Sequence, residues 1–225
     1  MERTLHRQLK QRYGSDVGGQ VEVAVGPYRV DAVDPDGRLI EIQAAPLGLL
    51  KRKLAHLLPT REIGVVKPVV VSRRLIRRLD PEGIDLSKRR SPKRGTLIDV
   101  FEELVGLAHL FPDPNLTIEL LAVEVDEIRV DCRRRPGYSV VDRVLKSVLS
   151  TVSLKVADDL WSLLPTDLPD RFTSQELARR ISRPIHFAQR VTYCLRKCGS
   201  TRMVAKVGNS RVYERASHPD PICRS

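Results

Sequence analysis

Near the start of the chain, apolar side chains recur at near-helical spacing. Leu5, Leu9 and Tyr13 lie on one stripe, and a glycine follows them as a stop signal. Glu2 lies three residues before Leu5 and falls on the same stripe. The spacing therefore predicts an amphipathic helix over residues 2–13.

Between residues 19 and 43 the pattern changes to alternation of apolar and polar positions. The stretches "GQVEVAVGPYRVDAV" and "GRLIEIQ" both alternate in this way, and the turn sequence "DPDG" separates them, which predicts a β-hairpin. "PLGLLKRKLAHLL" then places leucines on one face, with proline at its start, and predicts a helix. "IGVVKPVVV" is a β-branched run typical of a strand in the middle of a sheet.

The next segments complete a first predicted domain. The polar, basic residues 85–95 show no periodicity, so we predict an exposed loop that is a candidate for phosphate contact. "TLIDVFEELVGLAHLF" predicts a helix, and "NLTIELLAVEVDEIRVD" predicts one long or two short strands. The apolar pattern gives way to the basic, turn-like segment "CRRRPGYS", so we place the first domain at residues 1–131.

The rest of the chain predicts helices followed by a hairpin. "VVDRVLKSVLSTV" and "ADDLWSLLP" read as helical, and Thr173 with Glu176 forms a capping box before a further helix. "SRPIHFAQRVTYCLRKCG" predicts another helix, with Ser182 as its candidate cap, and "RMVAKVGNSRVYER" alternates around a Gly-Asn turn. We therefore predict a second domain at residues 138–216 and a tail at residues 217–225.

Composition adds a preference for a polyanionic partner. The chain of 225 residues carries 39 Lys and Arg against 28 Asp and Glu, a formal net charge of +11. Four cysteines without paired spacing favour a reducing cytoplasm over a secreted disulfide scaffold. The chain begins without the apolar core of a signal peptide and contains no apolar run long enough for a membrane span. These features predict a cytoplasmic protein with no membrane partner.

The predicted hairpin carries a cluster of acids that stands out in this basic chain. Asp34 and Asp36 lie in "DPDG" and have a simple explanation as turn residues. Asp31 and Glu41 lie on consecutive strands, where two carboxylates can bind a divalent metal and leave positions for water and a phosphate oxygen. The alternative is that Glu41 and Gln43, which share one face of their strand, simply face solvent.

The order of these elements resembles the PD-(D/E)XK superfamily, the restriction-endonuclease-like nucleases. That resemblance covers residues 1–73 and implies an α/β fold, a mixed sheet flanked by helices, with Mg²⁺- or Mn²⁺-dependent cleavage of phosphodiester bonds. By the resemblance, Asp31 and Glu41 are the metal ligands and Gln43 stands where the family has its catalytic lysine. Glu2 matches an additional acid that some members carry on the first helix.

Gln43 departs from the family pattern because an amide cannot act as a cationic or basic group. Some members supply this lysine from the following helix, where this chain has Lys51 and Lys53, with Lys51 closer to the leucine stripe. The predicted catalytic residues are therefore Glu41, Gln43, Lys51, Lys53 and Glu2. The alternative is a catalytically inactive nuclease fold that binds DNA or regulates.

The C-terminal helices and hairpin resemble a winged helix-turn-helix, which implies a nucleic-acid partner, DNA in the first place. A protein-protein adaptor is the further alternative. A cut in both DNA strands would need paired active sites, and so a homodimer. The outward positions of the predicted recognition helix and wing are the candidate nucleic-acid contacts: His186, Gln189, Arg190, Tyr193, Arg196, Lys197, Lys206 and Arg211.

Overall fold

The computed structural model describes residues 4–81, 83–133 and 136–216. It confirms the α/β class, with a large mixed sheet and helices. The chain divides into two compact units whose segments alternate along the sequence. Unit 1 consists of Met1–Ala44, Glu62–Leu97 and Ile118–Val152. Unit 2 consists of Ala45–Arg61, Ile98–Thr117 and Ser153–Ser225.

The regular elements of the described residues are as follows. The α-helices are α1 (Thr4–Tyr13), α2 (Lys51–Leu57), α3 (Val100–Leu104), α4 (Ser174–Arg180) and α5 (Ile185–Lys197). The strands are β1 (Gln20–Val25), β2 (Tyr28–Val33), β3 (Leu39–Ile42), β4 (Ile63–Arg78), β5 (Asp85–Arg90), β6 (Leu116–Asp131), β7 (Tyr138–Leu154), β8 (Arg171–Thr173), β9 (Thr201–Val207) and β10 (Ser210–Arg215). Short 3₁₀ segments are Ser15–Val17, Leu47–Leu50, Leu97–Asp99 and Ala157–Leu163.

Unit 1 is built on a seven-stranded sheet in the order β1-β2-β3-β4-β6-β7, with β5 paired to β4 outside this path. The pairs β1–β2, β2–β3 and β4–β5 are antiparallel, whereas β3 and β4 are parallel. Because β4 is long, its first residues pair with β3 and its last residues pair with β5. All four residues of β3 are buried, as expected for a strand in the interior of a sheet.

Helix α1 covers one face of this sheet. Leu5 and Leu9, from the predicted helical stripe, are buried against the strands, and Tyr13 packs at the edge of the same cluster. Side chains of β2, β3, β4 and β6 complete the cluster: Ala32, Ile40, Ile42, Val66, Leu121, Val123 and Val125. The N-terminal helix is therefore confirmed over its described residues.

Two predicted segments of unit 1 differ in detail from the structure. The alternating stretch over residues 19–33 contains two strands, β1 and β2, because the chain turns at Gly26, which adopts a positive φ of 56°. Residues 85–95 were predicted as a loop, but residues 85–90 form the edge strand β5, whose residues after Asp85 are exposed. The predicted exposure is therefore correct and the predicted absence of regular structure is wrong.

The predicted helix over "VVDRVLKSVLSTV" is also wrong. This segment lies in β7, which pairs next to β6 at the end of the sheet. Its apolar residues are spaced as in a helix, but it is rich in valine, serine and threonine, and β-branched residues favour a pleated surface. A long neighbouring strand offers that surface, so tertiary pairing overrides the periodic signal.

In unit 2, the predicted pair of helices and the hairpin after them are confirmed as elements. The capping box is present, because Thr173 Oγ1 accepts a hydrogen bond from the Glu176 amide at 3.2 Å and the Glu176 carboxylate accepts one from the Thr173 amide at 2.7 Å. Ser182 is not the cap of α5: it adopts a positive φ of 52° in the turn, and Pro184 stands at the N-cap position without a side-chain bond.

An aromatic group packs behind the three-stranded sheet of unit 2, in which β10 lies between β8 and β9. Trp161 and Phe172 meet edge to face with ring centroids 6.0 Å apart, and Phe172 lies 6.1 Å from Tyr213. The Trp161 indole N–H donates to the carbonyl oxygen of Ser200 at 3.4 Å. Trp161 thus packs against residues of β8 and the turn before β9.

The units follow different boundaries from the domains proposed at residues 1–131 and 138–216. Residues 138–152 lie in unit 1, and residues 45–61 and 98–117 lie in unit 2. The tail at residues 217–225 lies outside the described residues. Within the described ranges, no helix has the length and apolar character needed to cross a membrane.

Candidate functional sites

Strands β2 and β3 bring the two predicted metal ligands, Asp31 and Glu41, onto neighbouring strands. The strands pair at Ala32–Ile40 and Val33–Leu39. Beyond these pairs the Asp31 carboxylate accepts a hydrogen bond from the backbone N–H of Ile42 at 2.8 Å. The Asp31 side chain therefore takes the place of a ladder carbonyl where the backbone pairing of the two strands ends.

His6, on α1, contacts both the Asp31 carboxylate and the Ile42 backbone at this position. Its Nε2 lies 2.9 Å from the carbonyl oxygen of Ile42 and 3.3 Å from Oδ2 of Asp31. A carbonyl oxygen only accepts hydrogen bonds, so Nε2 carries the hydrogen. The imidazole N–H thus lies between two oxygens, one of them a carboxylate.

These contacts set the charge state of Asp31. Burial by itself raises the pKa of this carboxyl, but the hydrogen bonds from the His6 ring and the Ile42 amide, with the nearby charge of Lys10, outweigh it. The pKa of Asp31 therefore lies below its ordinary value. The side chain is a carboxylate at neutral pH and is already a good acceptor for the donors around it.

The geometry permits a test of whether these residues fit a divalent metal. A hard cation here would take Asp31 and Glu41 as oxygen ligands, but Oδ2 of Asp31 already accepts a hydrogen bond from the Ile42 amide and faces the His6 N–H. Across the described ranges, no three His, Cys, Asp or Glu side chains are grouped so that they could hold a metal ion. As arranged, Oδ2 of Asp31 is held by internal donors, which a bound cation would have to displace.

The face of the sheet opposite to Ile40 and Ile42 carries three polar residues: Glu41, Gln43 and Lys67. Glu41 pairs in register with Val65, and the backbone N–H of Gln43 donates to the backbone carbonyl of Val66 at 2.9 Å. By the alternation of side chains along a strand, Lys67 faces the same way as Gln43. Glu41 is 6% exposed and Lys67 is 4% exposed, so the interpretation of Glu41 as a solvent-facing residue is wrong. Two opposite charges are instead buried on one face of the sheet.

Asp34 and Asp36 have the predicted turn position. Asp34 Oδ1 accepts hydrogen bonds from the backbone N–H groups of Asp36 at 3.1 Å and Arg38 at 2.9 Å. Gly37 in this turn has a φ of 83°, which a glycine adopts without strain. Asp34 therefore organises the turn between β2 and β3, as "DPDG" predicts.

The other predicted catalytic residues lie elsewhere. Glu2 lies outside the described residues. Lys51 and Lys53 are on α2, where Lys51 is exposed and Lys53 is half-buried. This helix belongs to unit 2, whereas Asp31, Glu41 and Gln43 belong to unit 1.

A groove in unit 2 collects several of the predicted nucleic-acid contacts. It has a volume of about 580 Å³ and lies between the start of α4, one face of α5 and the tip of the β9–β10 hairpin. Its lining includes Gln189, Tyr193 and Arg196 from α5 and Arg211 from the hairpin. Among the described residues, no Asp or Glu lines this groove. The site is therefore basic and rich in hydrogen-bond donors.

The remaining predicted contacts are exposed but lie outside the groove lining. Arg190 forms an ion pair with Glu102 at 2.8 Å, so part of its charge is already balanced within unit 2. The others in this group are His186, Lys197 and Lys206, all exposed. The outward face predicted for α5 is thus the exposed face, and only part of it faces the groove.

The opposite face of α5 is buried and includes two thiols. Cys194 Sγ lies 3.6 Å from the Phe101 carbonyl oxygen, and Cys198 Sγ lies 4.0 Å from that of Ala108. Burial raises the pKa of Cys194 to about 12 and also raises the pKa of Cys198. Both are neutral thiols that fill space in the core, as expected for small helix residues.

His6 and Lys67 were missed by the sequence reasoning, although each left a signal. In the helix predicted over residues 2–13, His6 follows Glu2 by four residues, a spacing that predicts one shared face. Lys67 is a single charge within the β-branched run "IGVVKPVVV". A charged side chain inside an apolar strand needs a polar partner. That requirement could have marked Lys67 as a candidate site residue.

The fold class defined by these observations is α/β, a mixed sheet flanked by helices. The chain belongs to the family described as a domain of unknown function (DUF8091), whose model matches residues 3–155. It is 33% identical over 216 residues to an uncharacterized protein of Treponema pallidum (strain Nichols), an alignment that covers 94% of this chain and 84% of that relative. No solved structure matches the chain.

Proposed function

We propose that this protein binds duplex DNA through a winged helix-turn-helix formed by α4, α5 and the β9–β10 hairpin. The order of these elements supports the assignment, as does the position of β10 between β8 and β9. In this arrangement α5 is the recognition helix and the hairpin is the wing. The observation that carries the proposal is the groove between them, which is lined by two arginines and, within the described residues, by no carboxylate.

The chemistry of the groove suits a nucleic-acid backbone and base edges. Arg196 and Arg211 come from two of the three elements that border the groove, α5 and the hairpin, and present planar donors for phosphate oxygens. Gln189 offers the amide donor and acceptor that match an adenine edge in the major groove. The net charge of +11 adds a general attraction for a polyanion. Buried thiols at Cys194 and Cys198 support a cytoplasmic location.

The test is DNA affinity as a function of salt for Arg196→Ala combined with Arg211→Ala. We expect the affinity to fall at least tenfold at about 0.1 M salt, and the slope of log K against log salt to decrease by about 2, since each phosphate contact contributes about 0.9. The matched control is Arg7→Ala with Arg61→Ala, which removes the same charge from exposed positions elsewhere. Equal losses in both variants, or tighter binding to duplex RNA than to DNA, would contradict the proposal.

Phosphodiester cleavage is the second candidate function. It is favoured by Asp31 and Glu41 on neighbouring strands and by Lys67, a cation on the face that Gln43 shares. As arranged, the His6 ring lies 3.3 Å from Oδ2 of Asp31, so a metal ion at this oxygen would have to displace that contact. A homodimer would be needed to cut both strands.

A cleavage assay separates the two candidates. Labelled DNA and RNA are incubated with Mg²⁺, Mn²⁺ or EDTA and with the wild type, His6→Ala, Asp31→Ala or Glu41→Ala. Metal-dependent cleavage that Asp31→Ala and Glu41→Ala abolish supports a nuclease. Binding without cleavage, in both the wild type and His6→Ala, supports a DNA-binding protein whose nuclease-like unit is inactive.

A further inference from the structure

Unit 1 carries a second concentration of positive charge, at the edge of its sheet. The last residues of β4 pair with β5, from Arg74–Arg90 to Arg78–Asp85. All of β5 after Asp85 is exposed, as are the basic residues in the loop that follows it. We call Arg89, Arg90, Lys93 and Arg94 the β5 basic edge.

The arginines of β4 are already balanced inside unit 1. Each has a carboxylate partner on a neighbouring element, at distances up to 3.4 Å: Arg73 with Glu127, Arg74 with Asp126, Arg77 with Asp131 and Arg78 with Asp85. Within the described part of the chain, no carboxylate forms an ion pair with any residue of the β5 basic edge. On β5 itself, Lys88 pairs with Asp85 at 2.9 Å. Charge is therefore neutralised along β4 and at the start of β5, and is left available at the β5 basic edge.

The backbone that carries these side chains is held firmly to β4. The Ser91 amide donates to the Arg73 carbonyl oxygen at 2.9 Å, and the Gly95 amide donates to the Val70 carbonyl oxygen at 3.1 Å. A β-carbon at Gly95 would lie only 2.7 Å from that Val70 oxygen, so the close approach requires glycine. The loop is thus anchored at both ends while its cationic side chains remain exposed. Such a loop loses little backbone freedom when it binds.

Protection of an open sheet edge explains only part of this charge. Lysine and arginine on an edge strand prevent pairing with another strand, which accounts for Arg89 and Arg90. Lys93 and Arg94 lie beyond the end of β5, where they block no pairing. Four cations within six positions, on an anchored backbone and without ion-pair partners among the described residues, instead suit the dense charge of a nucleic-acid backbone, which carries one negative charge per about 3.4 Å of axis on each strand.

We infer that the β5 basic edge is a second DNA-binding surface, which contacts the phosphate backbone. This inference rests on the proposed function, in that DNA is the partner, but it concerns a different unit and different residues from the groove. The surface makes no base contacts and adds affinity without sequence preference. Its contribution falls steeply with salt.

The experiment measures binding to a 40-base-pair duplex over a range of salt concentrations. The variant replaces Arg89, Arg90, Lys93 and Arg94 with glutamine, and the control replaces four exposed cations elsewhere: Arg7, Arg52, Arg61 and Lys146. We expect the variant to lower the slope of log K against log salt by about 3.6 and the affinity at about 0.1 M salt by at least tenfold. A second variant, Lys93→Gln with Arg94→Gln, leaves β5 itself unchanged and should lose about half of this slope.

The edge variant and the groove variant are measured in the same binding assay, and their outcomes separate the two proposals. If only the groove variant loses affinity, the β5 basic edge is not a DNA-binding surface and the proposed function stands. If only the edge variant loses affinity, the groove assignment is wrong and the edge stands. A further measurement tests binding to vesicles that contain phosphatidylserine. Such a surface is the alternative anionic partner, because the β4–β5 turn exposes the apolar residues Leu79 and Ile84. An edge variant that loses vesicle binding and keeps DNA binding overturns the inference.

Discussion

At the scale of single residues, two carboxylates of unit 1, Asp31 and Glu127, are held by internal partners. Asp31 accepts from the Ile42 amide and lies beside His6, while Glu127 is 1% exposed and contacts three arginines. The nearest distances to Glu127 are 2.6 Å from Arg129, 3.1 Å from Arg143 and 3.4 Å from Arg73. A buried carboxylate with several cationic donors is stable only as a complete group.

Glu127→Gln should therefore destabilise the protein at neutral pH. The change removes the negative charge and leaves three arginines facing a neutral amide, at a cost of about 3 kcal/mol. Urea unfolding measures this loss in the free energy of unfolding. The control is Glu102→Gln, which disrupts only the half-exposed pair with Arg190 and should cost less than about 1 kcal/mol. Equal costs in the two variants would show that the Glu127 cluster contributes no more than a surface pair.

The same residue predicts a pH dependence. Burial by itself raises the pKa of Glu127, but Arg129 and Arg143 outweigh it, so the pKa in the folded state lies below the ordinary value of 4.5. A lowered folded pKa stabilises the protein above the ordinary pKa, and this stabilisation is lost as pH falls below it. The stability difference between wild type and Glu127→Gln should shrink from pH 5 downward. A difference that stays constant down to about pH 3 would contradict this assignment.

Residue roles could be predicted from the sequence where they depend on near neighbours. The position of Asp34 depends on amides two and four residues away, so "DPDG" was sufficient to predict it. The contact of His6 with Asp31 joins a helix to a strand 25 positions later, by the difference of the two residue numbers, and no local pattern encodes it. The metal-site hypothesis could be stated from sequence, but the contact of the His6 ring with Asp31 could not be predicted.

At the scale of elements, α4 depends on its capping box. Thr173→Ala removes the side-chain acceptor for the Glu176 amide and should cost about 1 kcal/mol. Thermal or urea unfolding measures this loss. Thr166→Ala, a change at an exposed threonine, is the control and should change stability by less than about 0.5 kcal/mol. If the two variants are equally stable, the box contributes nothing to the fold.

Element predictions failed where pairing partners decide the conformation. The capping box and the Gly-Asn turn are local, so α4 and the last hairpin were predicted correctly. The conformation of β7 depends on pairing with β6, and that of β5 on pairing with β4. These two segments have ambiguous or polar patterns of their own, and only the neighbouring strand makes them strands.

At the scale of the whole molecule, the two units do not follow consecutive stretches of the chain. Unit 2 takes one segment from the middle of the predicted nuclease domain and another from before β6. α5 depends on the second of these, because the thiols of Cys194 and Cys198 face the carbonyl groups of Phe101 and Ala108. The proposed DNA-binding element thus relies on residues far away in sequence.

A fragment of residues 153–216 should therefore not fold by itself. It lacks the two other segments of unit 2 and would expose the buried face of α5, so we expect poor dispersion in its amide NMR spectrum and non-cooperative melting. The control is a chain of residues 1–216, which keeps both segments and should melt cooperatively. A fragment that melts cooperatively with the helix content of α4 and α5 would show that unit 2 does not need them.

The length of β4 also has a consequence for how this gene can change over time. Arg73 and Arg74 are adjacent, point to opposite faces of the sheet, and pair with the adjacent residues Glu127 and Asp126. Replacement of one residue disturbs one pair. Insertion or loss of a single codon between Val66 and Arg73 would turn every later side chain of the strand to the wrong face, and would separate both arginines from their partners at once. Relatives that keep this sheet should therefore vary in the composition of β4 but not in its length.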